Sequence, residues 1–335
     1  MKGSRSQISS QRDTVFLGQA EKTITRKNAT SCRKKTLQRP KEFLQMSDLL
    51  VEKGYRLGPR IGEGSYAKVR IIERTKDGKI LAVKIIDRAK APKDFLERFL
   101  PRELNLLVRI DHEYIVTTHE IIQTSDHVFI VMDYAEKGDL LDYVRKHGAL
   151  PDQEAKNMFQ AMAQAVKYLH DLNIAHRDLK CENILLMKDM RVKLSDFGFA
   201  RSMPPPEGFK FPTSRTFCGS AAYASPDLLQ GIPYNPKCND IWSLGCILYI
   251  MVCASMPFDD SNVRKLVKQQ LQDKIHFPSK VSDKVNPLCK NLIRQILDPD
   301  STKRLNIAQV LDSDWLCMES PPPANAPSQP VVENS

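Results

Sequence analysis

The sequence has no Cys-x-x-Cys pair, no Gly-Lys-Ser/Thr phosphate loop and no internal repeat. The first absence removes the usual opening of a zinc site. The second excludes a Walker-type nucleotide loop. The longest apolar run, 241–256, falls short of the ~20 residues that cross a bilayer, and Pro257 ends it. It is expected to be a helix buried on all sides of a large domain. Residues 1–20 lack the apolar centre of a secretion signal. The eight cysteines, at 32, 181, 218, 238, 246, 253, 289 and 317, therefore read as reduced thiols in the cytosol or nucleus. Cys246 and Cys253 read as small core residues, and packing is also the preferred reading of Cys181 and Cys218. Neither Gly (14) nor Pro (21) is in excess, so the 335 residues suit one large globular domain or two smaller ones.

Acidic residues are also scarce, but mainly at one end. The net charge is +10, and residues 1–48 carry eleven Lys and Arg against four acids. The body is thus close to balanced, which argues against nucleic-acid binding by it. Residues 1–54 read as a basic, disordered arm, with Arg33-Lys34-Lys35 a candidate nuclear address. Residues 317–335 read as a Pro-rich disordered tail.

Between these ends the pattern is globular. Residues 55–61, 68–74 and 80–87 are short, β-rich and separated by turn signals. Gly62 and Gly64 lie in the first turn, where missing Cβ atoms let backbone approach phosphates. Strands on both sides argue against a dinucleotide-binding fingerprint. Lys84 sits inside the apolar third strand and needs an anion. A helix begins near Pro101, and its Glu103 is the natural partner. Strands follow near 117–123 and 128–133. Asp139 then opens a helix as an N-cap. A long amphipathic helix spans 152–171, and helices with short connections fill 227–316.

The chemistry centres on His176-Arg177-Asp178-Leu179-Lys180-Cys181-Glu182-Asn183, followed by Asp196-Phe197-Gly198. Asp178 can deprotonate a hydroxyl, and Lys180 can set a positive charge beside a transferring group. Asn183 and Asp196 offer oxygen donors to hard cations. That is a constellation for phosphoryl transfer.

With Gly62-x-Gly64, Lys84, Glu103, Pro226, Asp240-x-Trp242-x-x-Gly245 and Arg304 in order, residues 55–316 resemble a eukaryotic protein kinase. The stretches GEGSYAK (62–68), FLPREL (99–104), TFCGS (216–220), GIPYNP (231–236) and SMPFDDSN (255–262) resemble the testis-specific serine/threonine kinases, within the calmodulin-dependent-like group. The resemblance implies an α+β bilobal fold. Its N-lobe (55–134) would hold a five-stranded antiparallel sheet with one main helix, and its C-lobe (139–316) would be mainly helical. It implies ATP and Mg2+ as cofactors and protein Ser/Thr hydroxyls as acceptors, in male germ-cell differentiation. ATP would contact Ile61, Gly62, Glu63, Gly64, Ser65, Tyr66, Ala67, Lys68, Val69, Ala82, Lys84, Met132, Asp133, Ala135, Asp139 and Leu185. Glu103 would hold Lys84, and Met132 would be the gatekeeper. Asp178 would be the base, Lys180 the charge neutraliser, and Asn183 and Asp196 the magnesium ligands.

Asp139 and Glu182 would favour an Arg upstream of the target. Thr216 would be phosphorylated, by an upstream kinase or by the chain itself, and would then pair with Arg177. A monomer without a membrane partner is expected, cytoplasmic and also nuclear. The alternative is a pseudokinase scaffold with the same fold. The chain departs from the family pattern at three places: Ala67 stands for the third glycine, Asp227 for a glutamate, and the loop after Gly198 is Pro-rich. Asp227 is expected to keep a buried ion pair with Arg304 in altered geometry.

Overall fold

The computed structural model describes residues 41–64, 66–204, 213–214, 218–272 and 274–318. Its first element corrects the expectation of a structureless arm through residue 54. Lys41–Glu52 is a helix, α1. Met46, Leu49 and Leu50 fall at helical spacing on one side, and Leu50 is fully buried. The arm's basic, polar composition hides this short apolar stripe.

Five strands follow: β1 (Tyr55–Glu63), β2 (Ala67–Arg74), β3 (Lys79–Asp87), β4 (Thr118–Gln123) and β5 (His127–Asp133). They form one antiparallel sheet in the order β1-β2-β3-β5-β4. Helix α2 (Leu100–Arg109) lies between β3 and β4 and is led in by a wide π turn over Phe95–Phe99. Alternation along β3 divides its side chains between two faces. Leu81, Val83 and Ile85 join the cluster that holds Leu50. Ile86 joins Leu100 and the strand residues Val128 and Ile130 on the α2 side, the side to which Lys84 also points.

The larger body is mostly helical. It contains α3 (Leu140–His147) and α4 (Asp152–Asp171), then the short strands β6 (Ile174–Ala175), β7 (Ile184–Leu186), β8 (Val192–Leu194) and β9 (Arg201–Ser202). Helices α5 (Pro226–Gln230), α6 (Pro236–Cys253), α7 (Val263–Leu271), α8 (Ser279–Ser282), α9 (Pro287–Ile296), α10 (Ile307–Leu311) and α11 (Asp314–Cys317) complete it. The apolar stripe of α4 lies in the main core with most of α6. The α6 core is the run at 241–256 read from the sequence, and no described helix is long and apolar enough to cross a membrane.

The expected ion pair between Asp227 and Arg304 does not form. Arg304 instead donates to the carbonyls of Asp298 (2.9 and 3.0 Å), Cys238 (3.1 Å) and Pro299 (3.4 Å), and its guanidinium lies 5.0 Å over the Trp242 ring. A carboxylate one methylene shorter than glutamate stays out of bonding reach. Backbone dipoles and an aromatic face meet the buried cation in its place.

Candidate active site

The cleft between sheet and helical body is built first by β3. Lys84 Nζ lies 2.8 Å from Glu103 Oε1 and 3.3 Å from Asp196 Oδ1. Burial alone would lower the lysine's pKa, but the two carboxylates outweigh it and raise it. Asp196 is lowered, chiefly by Lys84. Lys84 and Asp196 therefore stay charged across the neutral range. Glu103 is 3% exposed, and its Oε2 has no partner. Glu103 thus spends one oxygen on Lys84, as the reading of a Lys–Glu pair requires.

Above this cluster the β1–β2 hairpin pairs Gly62 with Val69 and Glu63 with Lys68. The Gly64 N–H donates to the Ala67 carbonyl at 2.7 Å. A Cβ at Gly62 or Gly64 would meet only ordinary contacts, and neither glycine has a positive φ. The protein's own packing does not demand glycine there. Ser65 lies outside the described residues. Tyr66, at the turn, packs against Phe95 of the π turn with tilted rings and centroids 4.6 Å apart, which joins the loop to the entrance of α2. This contact escaped sequence reading, because nothing periodic links the two positions.

At the back of the cleft, Met132 is opposite Ala82 on β3. The Asp133 side chain is occupied, with Oδ1 2.8 Å from His119 Nε2 and Oδ2 2.9 Å from Lys193 Nζ. Burial would raise its pKa, but these bonds outweigh it and hold it at about 2. At this position, only backbone is free to face a ligand. Asp139 caps α3 by accepting from the Asp142 N–H at 2.9 Å and pairs across an isolated bridge with Leu185. Burial raises its pKa, and the charges of Asp142 and Glu182 add to that. Three carboxylates thus lie near one another on this rim.

The loop 176–183 hangs from Asp240, which is 1% exposed. Its Oδ2 accepts from the His176 N–H (2.9 Å) and lies 3.0 Å from His170 Nε2, and its Oδ1 accepts from the Arg177 N–H (2.8 Å). Arg177 has φ +66° and donates from Nε to the Phe199 carbonyl at 2.8 Å. Buried donors of this kind need such an acceptor, and an aspartate at the entrance of a buried helix supplies it. Asp178 is consequently fixed. Its Oδ2 accepts from Lys180 Nζ (2.9 Å) and Asn183 Nδ2 (3.1 Å), and its Oδ1 accepts from the Ser220 N–H (3.2 Å). Burial would lower the Lys180 pKa, but the Asp178 charge raises it.

Sequence reasoning also missed Gly219. It has φ +85°, and a Cβ there would sit 2.6 Å from the Arg177 carbonyl oxygen. Only glycine brings the Ser220 N–H to Asp178. The Cys-Gly-Ser triplet was the available signal. Thr216 lies outside the described residues. Cys181 is buried, and burial pushes its thiol up to about 12, consistent with an inert packing residue.

Asn183 donates its Nδ2 hydrogens to the Asp178 carbonyl (2.8 Å) and carboxylate, which leaves Oδ1 as its remaining donor to a cation. With the half-exposed carboxylate of Asp196, this makes a two-oxygen set. Magnesium is commonly held by one or two protein oxygens together with water and phosphate. No group of three or more His, Cys, Asp or Glu that could hold a metal occurs among the described residues. The residues fit a phosphate-borne magnesium ion rather than a caged one.

Residues 55–316 match the family model of the protein kinase domain. The mouse testis-specific serine/threonine-protein kinase 1 is 50% identical over 269 residues, covering 80% of this chain and 73% of that protein. The mouse testis-specific serine/threonine-protein kinase 3 is 43% identical over 272 residues, covering 81% of this chain and 99% of its own length. The human testis-specific serine/threonine-protein kinase 4 is 40% identical over 285 residues, 82% of this chain and 85% of that protein.

Proposed function

The chain belongs to the protein kinase family and is an ATP-dependent serine/threonine kinase, and on that premise we propose a role for each side chain gathered at the cleft. The observation that carries the assignment is the Lys84–Glu103–Asp196 cluster beside an Asp178 already bonded to Lys180 and Asn183. Lys84 holds the α- and β-phosphates of ATP, and Glu103 fixes Lys84. The loop 61–69 lies over the phosphates. The backbone of Asp133 to Ala135, with Ala82, Met132 and Leu185, receives the adenine, and Asp139 lies towards the ribose.

Asn183 Oδ1 and Asp196 hold magnesium, which when bound neutralises phosphate charge and orients the terminal phosphate. Asp178 orients the incoming Ser or Thr hydroxyl and takes its proton as the hydroxyl oxygen bonds to the γ-phosphorus and the bond to ADP breaks. Lys180 offsets the charge on the transferring group. Most of the acceleration comes from fixed charge and positioning.

Around this centre, the acidic rim of Asp139 and Glu182 favours a substrate with Arg upstream of the target. Phosphate on Thr216, placed by another kinase or by the chain itself, pairs with Arg177 and switches the enzyme on. The likeness to testis-specific kinases supports a role in male germ-cell differentiation. Action as a monomer in the cytoplasm, and in the nucleus if Arg33-Lys34-Lys35 serves as an address, completes the proposal.

The test is transfer from Mg-ATP to a Ser/Thr peptide library, with Asp196→Asn as control. Incorporation well above the control, enriched in peptides with upstream Arg, is expected, and Thr216→Ala lowers it strongly. Incorporation no greater than the control would favour the scaffold reading.

A further inference from the structure

Helix α1 lies outside the matched domain, which begins at Tyr55. It nevertheless contributes a fully buried side chain to the sheet. Leu50, with Met46 and Leu49 partly buried beside it, packs into one cluster with Ile72, Leu81, Val83, Ile85, Ile122, Phe129 and Val131. Three of these, Leu81, Val83 and Ile85, are consecutive same-face residues of β3. Lys84, between Val83 and Ile85, points to the opposite face.

The helix is also tied by its end. Gly54 closes it with φ +82°, and its carbonyl accepts both the Thr75 N–H (2.9 Å) and Thr75 Oγ1 (3.0 Å) from the turn between β2 and β3. One surface of β3 thus lies in the same apolar cluster as Leu50, while the other carries Lys84 to Glu103.

We propose that α1 is a working part of the catalytic unit, and that Leu50 is a positioning residue which, through Val83 and its neighbours on β3, sets where Lys84 stands towards the phosphates of ATP. The proposal rests on the reading of Lys84 as the phosphate partner. A close-packed interior transmits a small displacement rather than absorbing it. A void in this cluster lets the face of β3 that lines it relax, and the lysine on the opposite face moves with the strand.

Calorimetric binding of Mg-ATP and of adenosine to the full chain tests this, at a temperature where circular dichroism shows each variant folded. Leu50→Ala is expected to weaken Mg-ATP by about tenfold, because displacement of a positioned group by a fraction of an ångström is costly. Adenosine, which has no phosphates, binds as before. Met46→Ala, a milder cut in the same stripe, shifts Mg-ATP in the same direction and covers the case in which Leu50→Ala does not fold. Leu50→Met restores binding, and Val51→Ala, on the exposed side of α1, leaves it unchanged. If Mg-ATP affinity is unmoved in Leu50→Ala and Met46→Ala while their melting temperatures fall, α1 is only structural and the proposal is overturned. Equal loss of adenosine and Mg-ATP overturns it as well. A wild-type chain that binds adenosine but gains nothing from the phosphates overturns the reading of Lys84 itself, and the inference with it.

Discussion

Among the cations that enter the interior of this protein, Lys84 and Arg304 stand in different surroundings. Lys84 is met by two carboxylates, which raise its pKa against the effect of burial. Arg304 is met by backbone carbonyls and the face of Trp242, and burial prevails there, lowering its pKa. Asp227 contributes to the field around Arg304 but makes no bond to it. A structural cation needs only enough acceptors to satisfy its hydrogens. The cleft cation is over-supplied with negative charge, in a site where one of the carboxylates, Asp196, is half exposed. That surplus makes sense if a metal and a polyphosphate complete the charge balance during turnover.

The comparison is sharpened first by Glu103→Gln. Lys84 would keep a hydrogen-bond acceptor but lose a buried charge. Loss of a preorganised electrostatic partner of this kind lowers transfer by about a hundredfold. Transfer kinetics under saturating Mg-ATP give the number, and a loss below threefold would mean that the pair is ornamental. The smallest effect belongs to Asp227→Asn. With no ion pair to break, stability should change by no more than about 0.5 kcal/mol. A denaturant midpoint that reports a loss of several kcal/mol would restore the buried pair that the geometry denies.

Much of this arrangement is legible in the sequence. The five strands and the long helix follow from alternation and helical spacing, and each begins within a residue or two of its expected position. The catalytic loop is legible because its donors and acceptors are near neighbours in the chain, with Asp178, Lys180 and Asn183 bonded within five residues. Lys84 with Glu103, nineteen residues apart, is legible for another reason, since a lysine in an apolar strand demands an anion.

What stayed hidden depends on tertiary approach. The Ser220 N–H reaches Asp178 only because Gly219 lies against the Arg177 carbonyl. Tyr66 meets Phe95 across two separate elements. Helix α1 was obscured by averaging, since three apolar positions are lost in a long basic stretch. The pairing of Asp227 with Arg304 failed on reach, a matter of one methylene group that a residue-type argument passes over.

The most direct test of the central claim sets the two cations against each other. Lys84→Met and Arg304→Met are measured in parallel for phosphate transfer per folded molecule and for melting temperature. Lys84→Met is expected to stay folded and to lose transfer by at least about a hundredfold. Arg304→Met is expected to melt earlier, because it strands buried carbonyls, yet to transfer phosphate at close to the normal rate while folded. Normal transfer by folded Lys84→Met would contradict the account.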